Sequence, residues 1–140
     1  MRCLRCGLCC KDTKMELSNN DIRRIVKLGY NPRGFLVIRD GIPYLRNING
    51  YCYFHDKDSR RCRIYRYRPL GCRVYPVIYI QDVDFTIDKL CPMHYTVSID
   101  ELIRKSLILM NLIKRIEKER IIRLRYVYYN FYNKHSILEN

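Results

Sequence analysis

The chain has 140 residues, about the size of one typical domain, so we expect one core rather than several. Lysine and arginine number 27 against 14 acidic residues, and the formal net charge of +13 attracts polyanions or acidic proteins unless bound anionic groups offset it. Every apolar run is far shorter than the ~20 residues that cross a bilayer, which excludes a membrane-spanning protein.

Cysteine usage indicates the compartment and the chemistry. No apolar signal segment follows Met1, so we expect a cytoplasmic protein with reduced thiols. In a reducing compartment, eight cysteines favour metal or redox chemistry over four disulfides. Because much of the apolar content is tyrosine and cysteine, we expect metal bonding to supply part of the folding free energy.

The first two predicted elements are a loop and a short helix. Residues 3–10 are too few and too rich in thiols for a regular element, so we expect a loop wrapped round metal. Ser18 or Asn20 can cap the N-terminus of the helix, and Gly29 can end it. Its apolar face would carry Ile22, Ile25, Val26 and Leu28.

The middle of the chain predicts short strands. Asp40-Gly41 lies between the apolar runs 35–38 and 42–45, which is typical of a hairpin with a two-residue turn. Further along, the sequence predicts a helical turn at 64–67 before Pro69, and strands at 77–80 and 84–87.

The last predicted element is a long basic helix. Ser98 and Glu101 form a start like a capping box, and apolar residues recur at helical spacing to about Tyr132. We expect its apolar stripe to pack on the preceding domain or on a second copy. The predicted fold is therefore α+β: a small, metal-stabilised, cysteine-rich domain at 1–95 with short strands and helices, and a long C-terminal basic amphipathic helix within an extension at 96–140.

The spacing of the cysteines is the strongest motif. Two-residue gaps separate Cys3, Cys6 and Cys9, so the backbone between them can curve and direct their thiolates at one ion or cluster. Cys10 follows Cys9 directly, and adjacent side chains leave the backbone in different directions, so one of the two should serve a second site or bridge. The remaining candidate ligands are Cys52, Cys62, Cys72 and Cys91. The eight cysteines then form either two groups of four or one cluster with accessory thiols.

Thiolate ligands restrict the choice of metal. They select zinc, iron-sulfur clusters or copper(I) over magnesium and calcium. Three close cysteines followed by a remote Cys91-Pro92 are typical of ferredoxins, so an iron-sulfur cluster is our first choice and Zn²⁺ the alternative. His55 and His94 lie near cysteines in the sequence, and each is either a nitrogen ligand or proton donor, or an ordinary hydrogen-bonded imidazole.

Three segments together carry a family resemblance: residues 3–10, Cys52-Tyr53-Phe54, and residues 62–76. Over about residues 1–95 the chain resembles the YkgJ or CxxCxxCC family of zinc- or iron-chelating domains, which implies metal chelation by all eight cysteines, with Cys91 as the last. Relatives are similar to flagellin lysine N-methylase, which uses S-adenosylmethionine. We do not carry that activity over, because this chain is much shorter and lacks a Gly-rich strand-to-helix turn.

Two arginines are candidate cofactor-binding residues. Arg68 and Arg73 bracket Cys72, and they can donate hydrogen bonds or charge to thiolate sulfur. Pairing of these arginines with Asp82 or Asp84 is an equally weighted alternative.

The sequence leaves several functions open. The first is a metal-cofactor domain in an enzyme or an electron-transfer partnership, and metal storage or delivery cannot be separated from it. The alternative is a zinc-stapled basic module that binds nucleic acid or an acidic protein partner, because Arg123 and Arg125 alternate with apolar and aromatic residues. That basic segment is more typical of a solvated helix face whose tyrosines pack on the core.

Overall fold

The computed structural model describes residues 1–136, with side chains as far as residue 131. The chain forms the predicted α+β arrangement of short antiparallel hairpins, short helices and one long C-terminal helix. The helices are α1 Asn19–Lys27, α2 Pro32–Phe35, α3 Leu70–Val74 and α4 Ile99–Ser136. The strands are β1 Leu36–Arg39, β2 Ile42–Leu45, β3 Asn47–Ile48, β4 Tyr51–Cys52, β5 Val77–Ile80 and β6 Asp84–Ile87, and 3-10 turns lie at Leu8–Cys10, Tyr65–Tyr67 and His94–Thr96.

The first hairpin joins β1 to β2 through the predicted two-residue turn. Asp40 and Gly41 have φ of 49° and 78°, the left-handed backbone that such a turn requires. Phe35 is not the first strand residue, as the sequence suggested, but the last residue of α2. The reason is local, since Asn31 accepts a hydrogen bond from the Arg33 amide and Pro32 occupies the first helical position.

Two more hairpins follow. β5 and β6 pair with Val77 opposite Ile87, which confirms the two predicted strands. The hairpin of β3 and β4 was not predicted, although Asn49-Gly50 is a strong turn signal. Its register places Cys52 opposite Asn47 and so fixes the position of that thiol.

A buried carboxylate ties α1 to α3. Ser18 caps α1 as predicted, with its hydroxyl accepting from the Asp21 amide at 3.2 Å. The Asp21 carboxylate accepts from the Ser18 amide at 3.1 Å and from the Leu70 amide at 3.0 Å, and it pairs with Arg24 at 2.6 Å. One side chain therefore holds the start of both helices.

The core lies between these hairpins and helices. Phe35 and Phe54 pack with ring centroids 5.6 Å apart, and both are fully buried. Burying such a side chain stabilises the fold by about 1.5–3 kcal/mol. The other members of this core cluster are Leu17, Ile25, Leu45, Cys52 and Ile64.

Helix α4 packs along the cysteine-rich part of the chain. Ser98 caps it, accepting from the Glu101 amide at 3.1 Å. Leu112 and Ile116 are buried, and the helix contacts α3, β2, β5 and β6. The apolar stripe of α4 was expected to pack on the preceding domain or on a second copy of the chain. In the structure it packs on the preceding domain.

The second half of α4 holds the tip of the first hairpin. Arg120 donates to the Asp40 carbonyl at 2.8 Å, and Arg123 donates to the Gly41 carbonyl at 2.7 Å. Within the described residues, no helix has the length and apolar content needed to cross a bilayer.

Candidate metal centre

All eight cysteines line one cavity of about 800 Å³. The apolar stripe of α4, including Leu109, Leu112 and Ile116, also lines this cavity. The structure thus brings together every sequence-predicted metal ligand, from positions that span most of the chain. All eight thiols are free of disulfide bonds.

Four of the thiols belong to the interior. Cys52 is a member of the core cluster and is 6% exposed, and the Phe54 amide donates to its sulfur at 3.5 Å. Three further cysteines are partly buried and pack against the same cluster. We call these four the inner cysteines: Cys10, Cys52, Cys62 and Cys72.

The other four lie nearer the surface. Cys3, Cys6 and Cys9 are exposed, and Cys91 is half-buried beside the 3-10 turn at His94–Thr96. The Arg5 amide donates to the Cys3 sulfur at 3.3 Å. We call these four the outer cysteines: Cys3, Cys6, Cys9 and Cys91.

The two groups meet at Cys9 and Cys10. Their thiols are hydrogen-bonded to each other, although adjacent side chains were expected to diverge. Both residues belong to the 3-10 turn at Leu8–Cys10. Cys9 remains exposed, whereas Cys10 packs against the core.

Most of these thiols resist ionisation. Burial raises the pKa of Cys52 to about 11, and burial also raises the pKa of Cys72. The hydrogen bond from Cys10 lowers the pKa of Cys9 to about 7. A metal binds thiolates, so a soft metal must displace protons from the buried thiols, and low pH opposes its binding.

The charges of the thiols act on one another across the cavity. Burial raises the pKa of Cys91, and the charges of Cys6, Cys3 and Cys9 raise it further. Besides burial, the pKa of Cys72 responds to Cys52, Cys9 and Cys62. Cys91 thus lines the same cavity as the N-terminal run, far away in sequence.

Arg68 supplies positive charge to the cavity. Its guanidinium lies 4.0 Å from the Tyr65 ring centroid and donates to the Tyr65 carbonyl at 2.7 Å. Burial raises the pKa of Cys62, and the Arg68 charge partly offsets that effect. Arg68 therefore acts on the thiols through its charge, while its described hydrogen bonds go to backbone carbonyls.

Arg73 has a different environment. It donates to the carbonyls of Arg68 and Arg66 at 3.1 and 2.9 Å. Neither it nor Arg68 forms an ion pair with Asp82 or Asp84 in the described part of the chain. Arg73 lines the cavity and braces the loop that carries Arg68.

The two candidate histidines differ. The His94 Nδ1 lies 2.8 Å from the Cys91 carbonyl, an ordinary hydrogen-bonded imidazole. The His55 ring stacks on Tyr51 with centroids 4.6 Å apart, and its buried Nδ1 has no hydrogen-bond partner among the described residues. The His55 ring also lies against Gly7, beside Cys6.

A polar pair on the cavity wall was not predicted from the sequence. Tyr75 donates to the Asp88 carboxylate at 2.9 Å, and both residues line the cavity. Burial raises the pKa of Tyr75, and the hydrogen bond to Asp88 raises it further. Tyr75 lies three positions after Cys72, and Asp88 lies three positions before Cys91. This closeness to two candidate ligands is the sequence signal that could have indicated the pair.

The donor chemistry fits a soft metal, since eight thiols face one cavity. Among the residues whose side chains are described, no three cysteine, histidine or acidic side chains are gathered tightly enough to hold an ion as they stand. Coordination at this cavity therefore requires thiol side chains to rotate toward one another.

Comparison with known proteins identifies the family. The CxxCxxCC model, described as "Putative zinc- or iron-chelating domain", matches residues 2–92. The chain belongs to the CxxCxxCC family. The uncharacterized protein MJ0661 of Methanocaldococcus jannaschii is 34% identical over 80 residues, which are 53% of this chain and 43% of that protein. This chain therefore spans less than half of that relative, and no solved structure matches.

The CxxCxxCC region contains every cysteine and ends just after Cys91. Helix α4 lies outside the matched region, yet it supplies one wall of the cavity. The site of this CxxCxxCC protein therefore combines family residues with residues of its own extension.

Proposed function

We propose that this CxxCxxCC protein binds an iron-sulfur cluster through its cysteine thiolates, with zinc as the alternative metal. The observation that carries the proposal is the convergence of eight thiols on one cavity of about 800 Å³. That volume is far larger than a single bare ion needs, and it suits a cluster of several metal and sulfide atoms.

The charges around the cavity support an anionic occupant. A cluster with four thiolates carries net negative charge, which a basic shell offsets. The Arg5 and Arg68 guanidinium groups lie 4.2 and 4.0 Å from the Tyr65 ring centroid, and both arginines line the cavity. The ring fixes their position beside the thiols, so part of the formal charge of +13 serves the site.

The arrangement suits a cofactor or electron-transfer domain. A bound iron-sulfur cluster supplies one-electron chemistry, whose potential depends on charge, hydrogen bonds and solvent exposure. The inner cysteines shield one side of the cavity within the core, and the outer cysteines keep the other side near solvent. A partner could therefore exchange electrons at the exposed side.

Anaerobic purification followed by analysis of iron, zinc and acid-labile sulfide tests the proposal. We expect iron and sulfide in similar amounts and a brown protein whose visible absorbance is lost on reduction or chelation. Cys62→Ser should lower both contents, because it removes an inner ligand. Val83→Ser, an exposed change outside the cavity, should leave both unchanged.

Two results would contradict the iron-sulfur proposal. Stoichiometric zinc without sulfide would establish the alternative metal and remove the redox role. A protein that folds and retains neither metal after anaerobic purification and reconstitution would remove metal binding altogether.

The second candidate, a basic binding module, retains some support from α4. Tyr126 and Tyr129 are 69% and 66% exposed, and Arg125 is also exposed, which suits backbone contact and base stacking. Arg123 contributes less, because it binds the Gly41 carbonyl. Salt-dependent binding to random oligonucleotides, weakened by Arg125→Glu, would support this candidate, and no binding at low salt would exclude it.

A further inference from the structure

We infer that the open side of the cysteine cavity is a docking surface for an acidic protein, which it contacts through exposed leucines and cations. The inference rests on the proposed function for the role of that partner, and it adds the partner's chemistry. Two sets of exposed side chains that line the cavity carry the argument. We call them the mouth leucines, Leu4, Leu8 and Leu90, and the mouth cations, Arg5, Lys11, Lys14 and Arg73.

The mouth leucines are apolar groups that the chain itself leaves in water. Leu4, Leu8 and Leu90 are 59%, 43% and 56% exposed. By contrast, Leu112 and Ile116 of α4, which line the same cavity, are buried. An isolated exposed leucine is ordinary on a protein surface, but several at one opening, accompanied by polar groups, are typical of an interaction site. The mouth leucines therefore offer apolar area for a partner to bury.

The mouth cations determine the charge of this surface. Among the described residues that line the cavity, Asp12 is the one exposed carboxylate, so the cations outnumber it four to one. No mouth cation forms an ion pair within the described part of the chain. The Arg5 guanidinium lies over the Tyr65 ring, and Arg73 donates to two backbone carbonyls, so neither charge is neutralised by a carboxylate. An acidic partner would supply the missing carboxylates.

Two other occupants fit this surface less well. A second copy of the chain, with a formal net charge of +13, would bring like charge to the contact, which opposes association. Nucleic acid suits the cations, but single strands bind by stacking bases on aromatic side chains, and leucine offers no such face. Protein interfaces bury apolar groups at their centre and place polar groups at the rim. An acidic protein with apolar side chains among its carboxylates therefore matches both sets.

Docking at this surface would also bring a partner to the metal site. Cys3, Cys6 and Cys9 are exposed and line the same cavity, and three of the mouth residues lie between them in the chain. A protein that buries the mouth leucines would therefore cover these thiols and exclude water from this side of the cavity. In the proposed electron-transfer role the acidic partner is a redox protein, and an electron lost by either protein is gained by the other.

Three synthetic helical peptides test the inference by isothermal titration calorimetry at low salt. The first carries leucine on one face and glutamate elsewhere, the second has glutamine in place of glutamate, and the third has serine in place of leucine. We expect the leucine–glutamate peptide to bind at least about tenfold more tightly than either of the others, because only it matches both sets. Added salt should weaken its binding.

A pair of leucine variants tests the apolar part of the surface. Leu4→Ser with Leu8→Ser should weaken binding of the leucine–glutamate peptide by about tenfold, because the peptide loses apolar area to bury. Val83→Ser with Ile122→Ser removes two exposed apolar side chains outside the cavity, and it should leave the binding unchanged.

A pair of lysine variants tests the charged part. Lys11→Glu with Lys14→Glu should also weaken binding of the leucine–glutamate peptide by about tenfold. Lys27→Glu with Lys57→Glu changes the net charge by the same amount at exposed positions outside the cavity, and it should weaken the binding far less.

Several results would overturn the inference. They are absence of binding by the leucine–glutamate peptide, unchanged binding in either pair of mouth variants, and equal binding by the serine–glutamate peptide. Tighter binding to random oligonucleotides, weakened by the change of Lys11 and Lys14, would also overturn it and would identify nucleic acid as the occupant.

Carbodiimide coupling of the wild-type protein needs no mutation, so it decides the matter if a loop variant fails to fold. The reagent joins a lysine amine to a carboxylate in direct contact, and mass spectrometry locates the joined residues. The leucine–glutamate peptide should be joined to Lys11 or Lys14. Coupling mainly at Lys27 or Lys57 would overturn the inference.

Iron, zinc and sulfide contents of the same anaerobic samples separate this inference from the proposed function. Metal-loaded protein that does not bind the leucine–glutamate peptide would overturn the docking surface and leave the metal centre in place. Protein that binds the peptide through the mouth residues but contains no metal would support the docking surface and remove the proposed role of the partner.

Discussion

Gly7 lies at the bend that turns the N-terminal cysteine run against the rest of the domain. Its φ is +76°, and a Cβ there would lie 2.7 Å from the Arg60 carbonyl oxygen and 2.8 Å from His55 Nε2. The absence of a side chain therefore allows the thiols on either side of Gly7 to approach the cavity. Gly29 has φ of +94°, but a Cβ there would meet nothing within 4 Å.

We therefore expect Gly7→Ala to be more damaging than Gly29→Ala. Both variants incur the cost of a left-handed alanine, about 1–2 kcal/mol, but only Gly7→Ala must also displace a backbone carbonyl. Urea unfolding should show the larger loss of stability for Gly7→Ala, accompanied by lower metal content. Equal effects of the two variants would show that the contact with Arg60 is unimportant.

At the scale of the elements, helices α1 and α3 are held together by the Asp21 carboxylate rather than by a long apolar seam. It accepts from the Ser18 and Leu70 amides, and its side chain is 1% exposed. An exposed pair of the same spacing, Glu117 with Arg120, provides a comparison within α4.

Asp21→Asn should destabilise the protein by about 2–3 kcal/mol. The substitution weakens the buried hydrogen bonds by removing the charge of the acceptor, and it turns the NH₂ group of the new side chain toward backbone amides that are themselves donors. Glu117→Gln should cost no more than about 1 kcal/mol, since exposed ion pairs contribute little. Chemical denaturation of metal-loaded protein measures both changes. A loss for Asp21→Asn no larger than that for Glu117→Gln would contradict the proposed link between the helices.

Turns and helix starts could be predicted from the sequence where the residues that determine them lie next to one another in the chain. Asp40-Gly41 specified its hairpin and Ser18 its helix start, because turn and cap chemistry act within a few residues. The strands Asn47–Ile48 and Tyr51–Cys52 are too short to show alternation, and they were missed. The contact of Asp21 with Leu70 and the placement of Cys91 and Cys3 on one cavity depend on tertiary packing, which neither periodicity nor spacing encodes.

At the scale of the whole molecule, α4 closes the cavity. Leu112 and Ile116 are 4% and 3% exposed and line the side that faces the cysteines. Ile122, further along the helix, is 59% exposed. The helix thus acts as a lateral wall over its first half, although the family region ends before it.

Leu112→Ala should cost about 2–4 kcal/mol, because it removes buried methyl groups and leaves a void. It should also speed the loss of metal to a chelator, since water gains access to the thiols from the helix side. Ile122→Ala should stay within about 0.5 kcal/mol of wild type, as exposed substitutions usually do. Unchanged chelation kinetics in Leu112→Ala would show that α4 does not shield the metal.

The order of the elements along the chain has a consequence for biosynthesis. Every cysteine precedes Ile99, where α4 begins, so the helix that walls the cavity is synthesised after all eight thiols. Translation at ~5–20 residues per second delivers Cys72 roughly one to four seconds before Cys91, and the buried part of α4 follows later still. The thiols of the nascent chain are therefore open to water and oxidants until α4 packs beside them.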